Sequence, residues 1–281
     1  MSSITDVYSP RTTFRCTRLR GAKVGSSVCQ FCAVGCSQLG FFKEGKLIDV
    51  EGDPRSAVNE GRLCPKGSST YALNDNPYRK VKPMYRAPGS DHWEEVTLDW
   101  MLDTVAKRIW DTRNKGFVEK DPATGITVNN CANIGFIGGS ANDNEECYLF
   151  RKLFTGGLGI LPVENSARYC HSTTVAALSP TFGFGACTNP PRDLLNSDCI
   201  LIMGSNMAEA HPCAFYWPMH AKKKGAVTIH VDPRYTRTSA ACDHHVHIRP
   251  ETDIAFLSAV IRYILEKGLW FKEYVLSLIH I

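Results

Sequence analysis

No apolar run in this 281-residue chain approaches the roughly 20 residues that cross a bilayer, so a membrane-spanning helix is not expected. Positive charge is not massed: 32 Lys and Arg stand against 28 Asp and Glu, a net +4. The basic residues are scattered, which argues against nucleic acid as a partner. Met1 to Val28 holds neither an apolar h-region nor an Arg-Arg pair, so no secretory or twin-arginine leader is read there. The expected location is therefore cytoplasmic, or periplasmic if a leader precedes this start. There is no internal repeat and no G-x-G-x-x-G, the standard NAD fingerprint. With 43% apolar and 21% charged residues, disordered and collagen-like classes are excluded. The length suits one large domain or two smaller ones.

Cysteine is what the chain has in excess, at 12 residues. A disulfide scaffold is the usual explanation in small secreted domains that lack a core, which this chain is not. Metal ligation by some cysteines and burial of the rest is the better reading. Cys29, Cys32 and Cys36 fall within eight residues, and Cys64-Pro65 follows after 27 more. A compact triplet with a remote fourth Cys before Pro follows the logic of a [4Fe–4S] cluster, whereas zinc sites favour two separated pairs. Zinc remains the competing reading. Cys16, Cys131, Cys147, Cys187, Cys199, Cys213 and Cys242 stand outside that spacing and read as core or surface thiols. Lys66, two residues after Cys64, is either a solvated loop lysine or a cation between the cluster and a second redox group.

Around these cysteines, Gln38–Phe42 and Lys46–Glu51 read as two short strands turned at Glu44-Gly45. Tyr78 to Pro88 reads as a basic connecting segment. Beyond Trp93 the pattern is α/β. Helices are expected over Leu98–Trp110, Asp143–Phe154, Ala208–Lys224 and Asp253–Lys267, with Thr252 or Asp253 capping the last and Gly268 ending it. Strands are expected over Asn133–Gly138, Asp198–Gly204 and Ala226–Asp232. Strand, helix, strand, helix implies parallel pairing with right-handed crossovers.

The strand ending at Gly204-Ser205-Asn206 runs into a helix, and the next strand ends at Asp232. Glycine admits close approach of an anion, a helix N-terminus offers free N–H groups, and an acid at the second strand's end reads a ribose or base edge in doubly wound folds. Arg234 and Arg237 lie near enough to meet phosphate. An ordinary strand–turn–helix explains the same pattern. Lys222-Lys223-Lys224 reads as a solvated helix end. Cys170-His171 is either a buried thiol beside a surface imidazole or a thiolate ligand beside a proton acceptor. His244, His245 and His247 read as structural, with His245 and His247 on one strand face.

The runs CQFCAVGC, EGDP, GRLCPKG, ENSARYCHSTTVAALSPTFGFGACTN, MGSNMAEAHP, VDPRYTRT and RPETDIAFLSAV together resemble the catalytic subunit of molybdenum- or tungsten-dependent formate dehydrogenases, in their respiratory branch. The resemblance implies an N-terminal β-rich [4Fe–4S] domain over 20–80, an α/β molybdopterin oxidoreductase domain over 81–167, and a dinucleotide-binding α/β domain over 168–281, the last two doubly wound. It implies a [4Fe–4S] cluster on Cys29, Cys32, Cys36 and Cys64. It implies a bis-molybdopterin guanine dinucleotide carrying Mo or W, with Cys170 as the metal's protein ligand and His171 beside it. Lys66 would lie between cluster and pterin, and Gly204, Asn206, Glu209, Asp232 and Arg234 would fall in the dinucleotide-binding segments. Cys170 stands where many members have selenocysteine, and a thiol ionises less readily than a selenol. The implied reaction is formate to CO₂, with electrons passed to an iron–sulfur beta subunit and a membrane cytochrome subunit. Nitrate reduction is the second enzyme reading, and a non-catalytic iron–sulfur carrier a third. The apolar end YVLSLIHI and the greater length of that family's subunits lead to the expectation of a fragment, inactive alone.

Overall fold

The cysteine-marked N-terminal segment folds as three antiparallel strands, one more than the sequence pattern predicts. The computed structural model describes residues 18–187 and 189–279; Cys16 and the last two residues of the apolar end lie outside them. Strand β1 (Lys23–Val28) pairs with β2 (Ser37–Lys43), which pairs with β3 (Lys46–Gly52). The β2–β3 turn uses Glu44 and Gly45 at φ +51 and +79, the left-handed pair that a two-residue hairpin favours. β1 (KVGSSV) escapes a pattern search because Val24 is its one buried residue; pairing along β2 makes it a strand. Leu19, Ala22, Val24, Leu39 and Phe41 form the core of this sheet.

From β3 the chain loops back toward the start of β2. Gly52 allows this, since a Cβ there would collide with the carbonyl of Gly61. Buried Asn59 fixes the loop: its Oδ1 accepts from Ser37 N at 3.0 Å, and its Nδ2 donates to the Ser37 and Arg62 carbonyls at 3.1 and 2.8 Å. Two helical turns follow, α1 (Pro65–Ser68) and α2 (Thr70–Asn74).

The described residues divide into two units, which fall within Met1–Tyr71 with Asn189–Ile281 and within Ala72–Thr188. In the second unit the expected connecting segment contains β4 (Met84–Tyr85), paired antiparallel with β5 (Glu94–Glu95). Helix α3 (Leu98–Gly116) starts at Thr97, whose side chain accepts from Trp100 N, and runs two turns past its expected end. β6 (Phe117–Lys120) and β7 (Thr127–Cys131) form a hairpin around the turn at Asp121–Gly125. β8 (Phe136–Gly138), shorter than predicted, pairs in parallel with β9 (Val163–Asn165). Between them α4 (Asn144–Arg151) opens on an Asp143/Glu146 capping box and continues as a π-helical turn over Lys152–Gly157, which ends at the second of two glycines. α5 (Ser166–Phe182) ends at Gly183, φ +74.

The chain then returns to the first unit. A 3₁₀ turn (Pro191–Asn196) leads to β10 (Cys199–Met203), α6 (Met207–Ala210), α7 (Pro212–Lys223), β11 (Val227–Val231), α8 (Arg237–Ala241) and β12 (His244–Val246). β10, β11 and β12 form a parallel sheet in that order; the parallel pairing of β10 with β11 is the one the alternation of elements predicts, and β12 is a third strand beyond it. The helix expected over 208–224 is two helices broken at His211, because Pro212 has no N–H to continue the ladder and instead starts α7. Ile200 and Ile202 of β10 pack on Phe215 and Ala221 of α7 and on Ala226. Lys222 is not a free helix end: its Nζ donates to Ala241 O at 2.8 Å and pairs with Asp243 at 2.9 Å. α9 (Asp253–Glu266) and α10 (Lys272–Ile279) close the order. Gly268 at φ +65 follows α9 as expected, whereas Thr252 makes no side-chain cap and bonds Arg249 O instead.

Candidate cluster and dinucleotide site

The loop between β1 and β2 is closed by Cys29 N–H to Cys36 O at 2.8 Å, with Gly35 at φ +67 reversing the chain. This wraps Cys29, Cys32 and Cys36 around one point. Cys64 arrives from the loop held by Asn59 and caps α1, its Sγ accepting from Gly67 N at 3.4 Å. The four thiols line one small cavity, walled by Phe31, Val34, Leu63 and Pro212.

A fifth sulfur lines the same cavity. Cys213, read from its isolation in sequence as a core or surface thiol, packs with Cys29 and Cys36, its Sγ donating to Arg62 O at 3.8 Å. Its nearest partner in the chain is far away in sequence, so no spacing rule could have found it. The apolar wall makes ionisation costly. Burial pushes the Cys36 thiol up to about 12, and the neighbouring sulfurs of Cys213, Cys29 and Cys32 push the same way. Burial likewise raises Cys213. Thiols so placed become ligands when a cationic group deprotonates them on binding. Among the described residues no three His, Cys, Asp or Glu groups are arranged to hold a single ion. Zinc needs its sulfurs all about 2.3 Å from one point. A cubane accepts each thiolate at a different iron, which suits sulfurs spread around a cavity. The donor set fits the cluster.

At the carboxyl edge of the parallel sheet the structure gathers the second predicted group. Gly204 (φ +63) follows β10, and its N–H donates to Val231 O at 2.9 Å, setting it beside Asp232 at the end of β11. Asn206 bonds Glu209, and its Oδ1 accepts from Thr238 Oγ1 at 3.1 Å. Glu209 pairs with Arg237 at 3.2 Å, so that arginine is already engaged by an acid. Asp232 accepts the Arg234 N–H at 2.7 Å, and the Arg234 side chain is exposed. Below them buried His230 joins β11 to both sides: Ser239 Oγ lies 2.7 Å from Nδ1, and Nε2 donates to Ser205 O at 3.1 Å. The rings of His245 and His247 lie 6.4 Å apart, consistent with one strand face.

Lys66 ties the two groups together, its Nζ donating to Ala210 O at 3.0 Å. A groove of about 380 Å³ runs in the same unit from Ala33 and Val34 of the cysteine loop to Ser205 and Met207. His211 lines it too, with its Nδ1 buried and no hydrogen-bond partner. That imidazole was visible in the sequence only as part of MGSNMAEAHP. A long groove with apolar walls and polar groups at one end fits a dinucleotide-sized cofactor. Cys170 and His171 stand in the other unit, adjacent in the first half of α5 and both exposed. Asn165 caps that helix, accepting from Ala167 N at 2.8 Å, and Glu164 pairs with Arg168 at 2.8 Å.

Comparison with known proteins gives two family matches: the molybdopterin oxidoreductase Fe4S4 domain over residues 22–76 and molybdopterin oxidoreductase over 79–270. The chain is 52% identical to the formate dehydrogenase subunit alpha of Megalodesulfovibrio gigas, covering 91% of this chain and 25% of that one. It is 47% identical to formate dehydrogenase 2 subunit alpha (cytochrome c-553) of Nitratidesulfovibrio vulgaris, over 92% and 25%. The Escherichia coli formate dehydrogenase-O major subunit is 41% identical, over 88% and 25%. This chain therefore spans about a quarter of the length of these relatives. Among solved structures, acetylene hydratase from Pelobacter acetylenicus shares the fold with a TM-score of 0.65 at 20% identity, over 89% of this chain and 33% of that one.

Proposed function

Because the chain belongs to the molybdopterin oxidoreductase family, we propose that it acts within the catalytic subunit of a formate dehydrogenase, oxidising formate to CO₂ with release of two electrons and one proton. The observation that carries the substrate is the set of relatives, 41–52% identical over about nine-tenths of this chain, that are named for formate. Segments for a [4Fe–4S] cluster and for a molybdopterin cofactor are both present. We assign the cluster to Cys29, Cys32, Cys36 and Cys64, and the metal-bearing pterin, a bis-guanine dinucleotide with Mo or W, to Cys170. When bound, that group supplies the two-electron chemistry.

The chain's own residues bind and position. Cys170 ligates through its thiolate. His171 orients formate or takes the proton at a ring nitrogen. Gly204, Asn206, Glu209, Asp232 and Arg234 hold one dinucleotide at the sheet's carboxyl edge. Lys66 holds positive charge between that segment and the cluster; its bond to Ala210 supports the role. Domain limits at 20–80, 81–167 and 168–281 follow this division of labour. Electrons leave to an iron–sulfur partner subunit and a membrane cytochrome subunit. Among the described residues no helix is long and apolar enough to cross a membrane.

The test is formate-dependent dye reduction by the holoenzyme, with nitrate as the competing substrate. Cys170→Ser is expected to abolish formate oxidation while leaving cluster iron in place. Full formate activity in that variant removes Cys170 from the mechanism, and nitrate turnover without formate turnover replaces the substrate.

A further inference from the structure

Cys64 is the one cavity thiol of the CQFCAVGC…GRLCP set that the cysteine loop does not hold. Cys29, Cys32 and Cys36 sit on a loop closed on itself by the Cys29 N–H to Cys36 O bond, whereas Cys64 ends a separate loop that leaves β3 at Gly52. That second loop is gripped from α7, in the same unit. Trp217 Nε1 donates to Val58 O at 3.1 Å, and the Trp217 side chain is almost fully buried. Two residues before Cys64, the Arg62 guanidinium stacks 3.7 Å above the Tyr216 ring and donates through Nη2 to its hydroxyl at 2.7 Å. The Arg62 Nη1 donates to Glu60 at 3.1 Å, and Glu60 also pairs with Arg192 at 3.3 Å. Residues at i, i+3 and i+4 share one helix face, so Cys213, Tyr216 and Trp217 meet the loop together. The Cys213 Sγ donates to Arg62 O at 3.8 Å.

We propose that Arg62 and Tyr216 are positioning residues of the iron–sulfur site: their contact holds Cys64 in place beside the triplet, so that the iron at the Cys64 corner is retained. This rests on the assignment of the cluster to Cys29, Cys32, Cys36 and Cys64. Each part of the contact restrains a different motion. The stacked planes fix the distance of the guanidinium from α7, and its bonds to the Tyr216 hydroxyl and to Glu60 fix its direction. The triplet needs neither, because its closing bond lies within its own loop. Loosening the contact therefore frees one corner of four. Three thiolates remain, one for each iron of a three-iron cluster. The loss balances as [4Fe–4S]²⁺ giving [3Fe–4S]⁺, Fe²⁺ and one electron, with ferricyanide as the oxidant that takes the electron and becomes ferrocyanide.

The test is ferricyanide oxidation of anaerobically purified holoenzyme, followed by electron paramagnetic resonance and iron analysis. The intact oxidised four-iron cluster is silent and the oxidised three-iron cluster is not, so the signal reports lost corners. Clusters of other subunits contribute equally to wild type and variants. Arg62→Met and Tyr216→Leu are expected to gain the three-iron signal about tenfold faster than the wild type, the order that one charge-assisted hydrogen bond supplies. Tyr216→Phe keeps the ring and loses the hydroxyl, and Arg62→Lys keeps the charge and loses the fork. Both are expected to fall between. An unchanged rate in Arg62→Met and Tyr216→Leu overturns the proposal. So does loss of all the cluster iron from those two without a three-iron signal, while Tyr216→Phe and Arg62→Lys match the wild type, because the contact would then hold the fold and not the corner. Cys64→Ala checks the assignment separately. It is expected to carry a three-iron cluster as purified, and an intact four-iron cluster there overturns the cluster assignment and the proposal with it.

Discussion

Single residues carry the redox reading, and they differ in how visible they are. Cys29, Cys32, Cys36 and Cys64 announce themselves by spacing, because a loop of eight residues closed by one backbone hydrogen bond brings the first three together locally. Lys66 gives no such sign: spacing alone favours a solvated loop lysine, and the structure sets its ammonium on the Ala210 carbonyl. This contact yields a residue-scale prediction. Lys66→Ala is expected to keep cluster iron and the KM for formate while lowering kcat about tenfold, a barrier increase of ~1.4 kcal/mol. An unchanged kcat in the iron-loaded variant returns Lys66 to the role of a surface tether.

At the scale of elements, the parallel sheet and its helices are joined by buried polar groups whose protonation matters. Burial lowers the pKa of His230 below its ordinary 6.5, against weaker opposing pulls from the Ser205 carbonyl and Asp232. The folded state therefore keeps His230 neutral where the unfolded chain is already protonated. Between the folded and unfolded values the unfolded state binds more protons, so stability rises with pH there and falls as pH drops below about 6.5. Asp243 adds a second window: its bonds to Lys222 and Thr228 hold its pKa well below the carboxylate range, so its contribution is present above that range and lost on acidification through its folded value. Denaturant midpoints measured from pH 7.5 to 5 are expected to fall, and His230→Gln to flatten that slope while lowering the midpoint at pH 7.5. A slope that survives the substitution assigns it to other groups.

For the molecule as a whole, the informative feature is apolar surface left open. The run DCILIMG has the continuous apolar character of a strand buried on both faces, yet β10 buries Ile200 and Ile202 on one face and leaves Leu201 47% exposed on the other. α9 is similar, with Ile254 81% and Ile261 57% exposed. The relatives are about four times longer, and such faces are what further chain in a holoenzyme would cover. Leu201→Ser is thus expected to change the stability of these 281 residues by less than about 0.5 kcal/mol, and to destabilise the holoenzyme by about 2–5 kcal/mol. Equal small effects in thermal unfolding of both would show that this face meets water in the holoenzyme too.

By itself the sequence determined what local physics controls: the cysteine triplet, the Glu44-Gly45 hairpin, the parallel alternation of β10 and β11, and the helix at Asp253. Each depends on residues within a few positions of one another, so spacing and periodicity suffice. Tertiary structure decided the rest. β1 is a strand only because β2 offers it a register, and Cys213 reaches the cluster cavity only because Arg62 and Val58 seize its helix face. Those contacts join positions some 150 residues apart, and no local rule encodes which distant partner a buried side chain will meet.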